Sequence, residues 1–137
     1  MWGDKADFVI GAPLPEEGRA EQLRARQLSD NRFEVCCIPF FVYDIALGDV
    51  VETDADHNVT RVVEPSGRVV FRVWFGESFH PREEVADELV ERDALVEWSS
   101  TNLLAVDAAD EARADAIAAY LAEQERAGRL MFETGRS

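Results

Sequence analysis

The apolar residues of this chain change their spacing part-way along, and that change limits the folds open to it. As far as Phe75 they come in short runs with a period of two, the spacing of half-buried strands. From Val85 a helical spacing takes over, with Val85, Leu89 and Val90 on one expected face. The strand readings are Asp7–Ile10, closed by Gly11 and Pro13, then Glu21–Leu28, with Leu23 and Ala25 on one face and Arg24 and Arg26 on the other. Arg32–Ile38 returns after the turn cluster Ser29-Asp30-Asn31, and Asp49–Thr53 is opened by Gly48. Asn58–Glu64 and Arg68–Phe75 are expected to form a second hairpin around Pro65-Ser66-Gly67.

His80-Pro81-Arg82-Glu83-Glu84 reads as a helix start, with proline at the first helical position and acids in the first turn. Leu95–Trp98 and Leu103–Val106 read as strands joined at Ser99–Asn102. Asp107 is expected to cap a second helix, with Asp110 completing an approximate capping box. Ala114, Ile117 and Leu121 give that helix its buried stripe, Gly128 ends it, and Leu130–Phe132 is a last strand. The expected fold is α+β. An antiparallel β-rich N-terminal half, residues 1–66, forms a small barrel or layer. It is fused to a ferredoxin-like βαββαβ C-terminal half, residues 67–137. No Pro/Gly/Ser-rich linker separates the halves, so a single compact domain over 1–137 is expected. A chain of 137 residues buries about 68% of its unfolded surface and needs no disulfide or metal to fold.

Charge narrows the partners. Twenty-eight acids face fourteen bases, for a net charge of −14. Such a surface repels phosphate backbones and anionic membranes, so neither nucleic acid nor membrane is an expected partner. It suits a basic protein. No targeting segment is visible, and the run Val35–Tyr43 is far shorter than the roughly 20 residues of a membrane helix. With only two cysteines, a reducing cytoplasm is the expected location.

Those cysteines, Cys36 and Cys37, are adjacent. In a strand they would face opposite sides and could not be bridged, and they lack the Cys-x-x-Cys spacing of redox and zinc sites. The reading is structural: Cys37 in the core and Cys36 a half-buried neighbour. Asp54, Asp56 and Asn58 imitate the start of a calcium loop, but Val59 and Pro65 stand where glycine and glutamate are required, so a solvated turn is expected. His57 and His80, and likewise Ser66 and Ser78, fall in no nucleophilic signature, and no glycine-rich phosphate loop exists. No catalytic, cofactor or metal residue is therefore assigned. Phe40, Phe41 and Tyr43 follow Pro39, and large apolar residues so close together cannot all face one side. They either complete a core or leave an exposed binding patch.

Several short pieces, in order, resemble a bacterial family known only as domain of unknown function number 4265. They are Glu21-Gln22-Leu23-Arg24-Ala25, Ile38-Pro39-Phe40-Phe41, Gly48-Asp49-Val50-Val51, Ser66-Gly67 with Arg72, and Ala105-Val106-Asp107 before a helix ending near Gly128. The resemblance runs from about Glu21 to Gly135 and implies a small bacterial protein with no assigned activity. The chain departs from the family pattern at Arg24 (an aromatic there), at Cys37 (asparagine there) and at Arg68-Val69-Val70 (a polar run there). The resemblance marks Asp49 as a turn cap or cleft residue. It marks Arg72 as a cation that needs a carboxylate if buried, and Asp49 is one candidate.

The expected function is a non-catalytic protein-interaction or regulatory module, of an immunity-type or inhibitory kind, with a patch drawn from Pro39, Phe40, Phe41, Tyr43, Asp49, Arg72 and Trp74. The alternative is a small-molecule-binding module with a pocket between the two halves near Phe40, Tyr43, Arg72 and Trp74. An enzyme using Cys36 or His80 is the third reading. Oligomeric state is not legible in the sequence.

Overall fold

The computed structural model describes residues 2–76 and 82–137. The fold is α+β and strand-rich, with two antiparallel sheets and, among the described residues, three helices. The chain divides into two compact units, Met1–Ser66 with Arg136–Ser137, and Gly67–Gly135.

The first unit opens with a short helix, α1 (Trp2–Lys5), and continues as a meander of β1 (Phe8–Pro13), β2 (Ala20–Ser29), β3 (Arg32–Val35), β4 (Val50–Thr53) and β5 (Val59–Glu64). Strict alternation does the work in β2 and β3, where Leu23, Ala25, Phe33 and Val35 are all buried. With Ile10, Ala12 and Val51 they build one core. Strands β2 and β3 are joined through Asp30-Asn31, as the turn cluster predicts. Strand β1 meets the turn just before β5, where the Gly11 N–H donates to the His57 carbonyl at 2.9 Å beside a parallel Gly11–Asn58 bridge. A side chain at Gly11 would collide there, since an added Cβ would lie 2.7 Å from Asn58 Oδ1.

The expected hairpin around Pro65-Ser66-Gly67 does not form. Strand β5 pairs with β4, and the strand after Gly67 joins the other sheet. The reason is a contact distant in sequence: Ser66 is tied back to the turn before β4, donating its N–H to Asp49 Oδ1 and its hydroxyl to the Leu47 carbonyl, both at 2.8 Å. Gly67, at a φ of 83°, then redirects the chain.

The second unit runs β6 (Val69–Trp74), α2 (Arg82–Glu91), β7 (Leu95–Trp98), β8 (Leu103–Ala108), α3 (Glu111–Arg126) and β9 (Met131–Thr134), with sheet order β7-β8-β6-β9. Its core joins Phe71, Val73, Leu104 and Val106 to the helical stripes. Ala114, Ile117 and Leu121 are buried on α3 as read from their spacing. On α2 the buried residues are Val85, Ala86 and Leu89, while Val90 is 53% exposed. Five positions from Val85 is about 140° around a helix of ~3.6 residues per turn, which carries Val90 off the stripe. The helix start read at His80-Pro81, and Ser78, lie outside the described residues. Asp107 is no cap. It lies inside β8, fully buried, and Asp110 caps α3 by accepting the Arg113 N–H at 2.8 Å.

Candidate functional site

The longest irregular stretch among the described residues, 36–49, connects β3 to β4 and holds most of the sequence-selected residues. It begins with the cysteines, whose expected roles are reversed. Strand β3 stops at Val35, so the alternation argument ends before it reaches them. Cys36 is the buried one, 1% exposed, with its Sγ 3.4 Å from the Glu34 carbonyl. Cys37 is only partly buried, against the core of the first unit. Neither is in a disulfide. Burial, and then the nearby Glu34 carboxylate, push the Cys36 thiol above its ordinary value, which makes it a poor nucleophile.

Three carboxylates shape the stretch. Glu21, on β2, accepts three consecutive backbone N–H groups: Phe40 at 2.7 Å, Phe41 at 3.0 Å and Val42 at 2.9 Å. Asp49 is buried and accepts from the N–H of Ala46 at 2.9 Å and of Ser66 at 2.8 Å, so its two oxygens hold turns. Asp44, at a φ of 66°, accepts the Ser137 N–H at 2.9 Å and hydroxyl at 2.6 Å, and these bonds hold its carboxyl below the usual range. Glu21 was legible only as a member of the family resemblance. Nothing in its spacing marks it as the clamp of a segment nineteen to twenty-one positions away.

The aromatic cluster is sorted by this clamp. Pro39 is buried and Phe40 half-buried, its ring 6.3 Å from that of Phe41. Val42 and Ile45 enter the core. Phe41 is left 51% exposed and Tyr43 38% exposed.

Arg72 and Trp74 lie on β6 in the second unit, two positions apart and therefore on one face. Trp74 is half-buried. Arg72 is 1% exposed, and register places Ala105 on one side of it and Glu133 on the other, with Glu97 beyond Ala105. Directly opposed side chains in a sheet stand about 5 Å apart at Cβ, so register offers Arg72 an acid as a cross-strand neighbour. The same face carries a residue pair that sequence reasoning missed. Arg68 Nε lies 3.0 Å from both oxygens of Asp107, and its Nη2 also bonds Oδ2. Burial raises the Asp107 carboxyl above its ordinary value, and Arg68 opposes that rise.

The acidic turn is built as a turn. Asp54 Oδ1 accepts the N–H groups of Asp56 and Asn58, both at 2.9 Å. The His57 ring packs edge-on against Phe8 and Phe33, with centroids at 4.7 and 5.7 Å. Among the described residues no three His, Cys, Asp or Glu side chains converge on a metal position, and no helix is long and apolar enough to cross a membrane.

The family model described as "Domain of unknown function (DUF4265)" matches residues 21–132. No curated protein matches the chain. Among solved structures, the crystal structure of a hypothetical protein from Neisseria gonorrhoeae is similar, with a TM-score of 0.78, 18% identity and 93% of each chain covered. At that identity the likeness is one of fold.

Proposed function

The chain belongs to the DUF4265 family, a domain of unknown function, and from that membership and the geometry above we propose that it is a non-catalytic protein-interaction module of regulatory or inhibitory kind. The observation that carries this reading is the Glu21 clamp. One carboxylate fixes the backbone of Phe40, Phe41 and Val42 while Phe41 and Tyr43 stay exposed. Rigid exposed aromatics are effective anchors, because the ordering cost is met before the partner arrives. The net charge of −14 selects a basic protein as that partner. Pro39, Phe40 and Asp49 serve this patch by positioning it, and Phe41 and Tyr43 make the contact.

The meander order and the Gly11–His57 bond support a small barrel for the first unit. The order β7-β8-β6-β9, with helices after β6 and β8, supports a ferredoxin-like second unit. A single domain over 1–137 is the proposed organisation, since no Pro/Gly/Ser-rich linker separates the two units. A bacterial cytoplasm is the proposed setting.

Affinity capture from a native lysate, with the parent protein and a Phe41→Ser, Tyr43→Ser variant, tests the proposal. The expected result is a basic protein retained at low salt, released at high salt, and absent from the variant. Equal retention by both proteins, or no specific partner, overturns it.

A further inference from the structure

Among the described residues strand β9 is the last strand of its sheet, and register shows which of its backbone groups face outward. The Gly135 N–H donates to the Val70 carbonyl at 2.8 Å, so Gly135, and by alternation Glu133 and Met131, turn their backbone groups toward β6. Phe132 and Thr134 must then point theirs away from the sheet. The Phe132 N–H does so. It donates at 3.2 Å to Glu125 Oε2, an exposed carboxylate from the last turn of α3. Glu125 therefore occupies the place that the carbonyl of an added strand would take.

A groove of about 670 Å³ opens beside this edge. Trp74, Leu130 and Met131 supply apolar lining, and Glu125 and Arg129 also line it. Met131 is 65% exposed. An exposed sheet edge next to an apolar groove is the arrangement that accepts an extended peptide, with main-chain bonds for affinity and a groove for alternate side chains.

We infer that the outer edge of β9 binds an extended segment of a basic partner by strand addition, with Glu125 as a displaceable placeholder. On binding, the segment's carbonyl takes the Phe132 N–H and one of its N–H groups donates to an outward carbonyl. Glu125 swings to a lysine or arginine of the segment, and an apolar side chain enters the groove over Trp74 and Met131. The charge of −14 fixes the sign of the occupant. This surface is built from residues other than Phe41 and Tyr43, and the proposal does not depend on them.

The test uses the full chain and a blocked peptide, acetyl-Lys-Val-Lys-Val-Lys-amide, beside the same peptide N-methylated at every residue. Methylation keeps the charge and removes the backbone N–H of every residue. Amide NMR should show saturable shifts and slowed exchange at Phe132 and Thr134 with the first peptide. The methylated peptide should bind at least ten-fold more weakly. Thr134→Pro removes an outward N–H and leaves the ladder bonds of Glu133 and Gly135, so it should weaken the first peptide by a similar factor. If that variant does not fold by circular dichroism, the comparison of the two peptides decides. Phe41→Ser, Tyr43→Ser should bind the peptide as the parent does, which keeps this proposal distinct from the aromatic-loop reading. Equal affinity for the two peptides, shifts confined to the acidic helices, or no saturable binding up to millimolar peptide would overturn it.

Discussion

Two charged side chains decide the local structure of this chain, and neither is among the residues its sequence advertises. Glu21 accepts three N–H groups that have no strand partner. Hydrogen bonds to a charged group contribute about 1.5–3 kcal/mol, and because these donors are part-buried or exposed, water replaces some of what is lost. Glu21→Ala should therefore lower stability by about 2 kcal/mol in urea unfolding and broaden the amide resonances of 40–42, whereas Glu21→Gln, which keeps an acceptor, should lose less. The second is Arg68. Removing one member of a buried pair typically costs about 3–5 kcal/mol, and Arg68→Met strands the Asp107 carboxylate in a fully buried position. The pH dependence has a definite sign. Burial raises the Asp107 carboxyl in the native state, so its ionised form is the one penalised. The deficit of Arg68→Met should be largest at neutral pH and shrink as pH falls through that raised value, because the protonated acid needs no counter-charge. Urea midpoints of both proteins between pH 7 and pH 4 check this. A deficit that grows on acidification would reject it. Asp107 looked like a helix cap because an aspartate before an alanine-rich helical stripe usually is one. Its burial depends on which strand lies beside β8, and that is tertiary information.

At the scale of elements the period of the apolar residues was a reliable guide, as were the hairpins β2–β3 and β7–β8, while the hairpin expected at Pro65-Ser66-Gly67 was not. The stripe Ala114, Ile117, Leu121 is buried as its spacing requires, and Leu95–Trp98 is a strand with the bounds its composition suggests. The extra residue assigned to α2, Val90, shows how narrow such a stripe is. Truncating the two helices at these positions should separate the cases. Leu121→Ala removes a fully buried side chain and should cost about 3 kcal/mol, within the usual 2–5 for such cavities. Val90→Ala, on the exposed side of α2, should change stability by less than about 0.5 kcal/mol. Chemical denaturation of the two variants measures both. The mispaired hairpin has a different cause. Pro-Ser-Gly between two β-branched runs is an ordinary turn signal, but here the serine is claimed by Asp49 and Leu47, and β5 is left to complete the pairing of β4. A side chain bonding seventeen positions back overrode local turn chemistry, and no period in the sequence carries that contact. The assignment of faces to Cys36 and Cys37 failed for another reason: the faces of a strand were projected past its end.

For the molecule as a whole, the excess of fourteen acids acts in opposite directions on folding and on association. Fourteen bases are too few to pair twenty-eight acids. The ion pairs on the surface, such as Arg26–Glu34 and Arg61–Glu52, are exposed and individually worth little. Uncompensated repulsion therefore opposes the compact state. Salt shortens the reach of that repulsion from ~10 Å at 0.1 M to ~3 Å at 1 M. Raising sodium chloride from 0.02 M to 0.5 M should stabilise the native protein by about 1 kcal/mol, a rise of roughly 4 °C in thermal midpoint for a chain of this size. Chloride is the appropriate anion, because sulfate would strengthen apolar burial on its own account. The same salt should weaken capture of a basic partner, since the attraction that drives encounter is screened as the repulsion within the chain is. Opposite slopes, measured by differential scanning calorimetry and by binding over one salt series, are the signature expected of a surface whose charge serves recognition. A thermal midpoint that falls with salt would mean that the surface ion pairs outweigh the repulsion. A capture affinity indifferent to salt would mean that the exposed aromatics act without the charge around them.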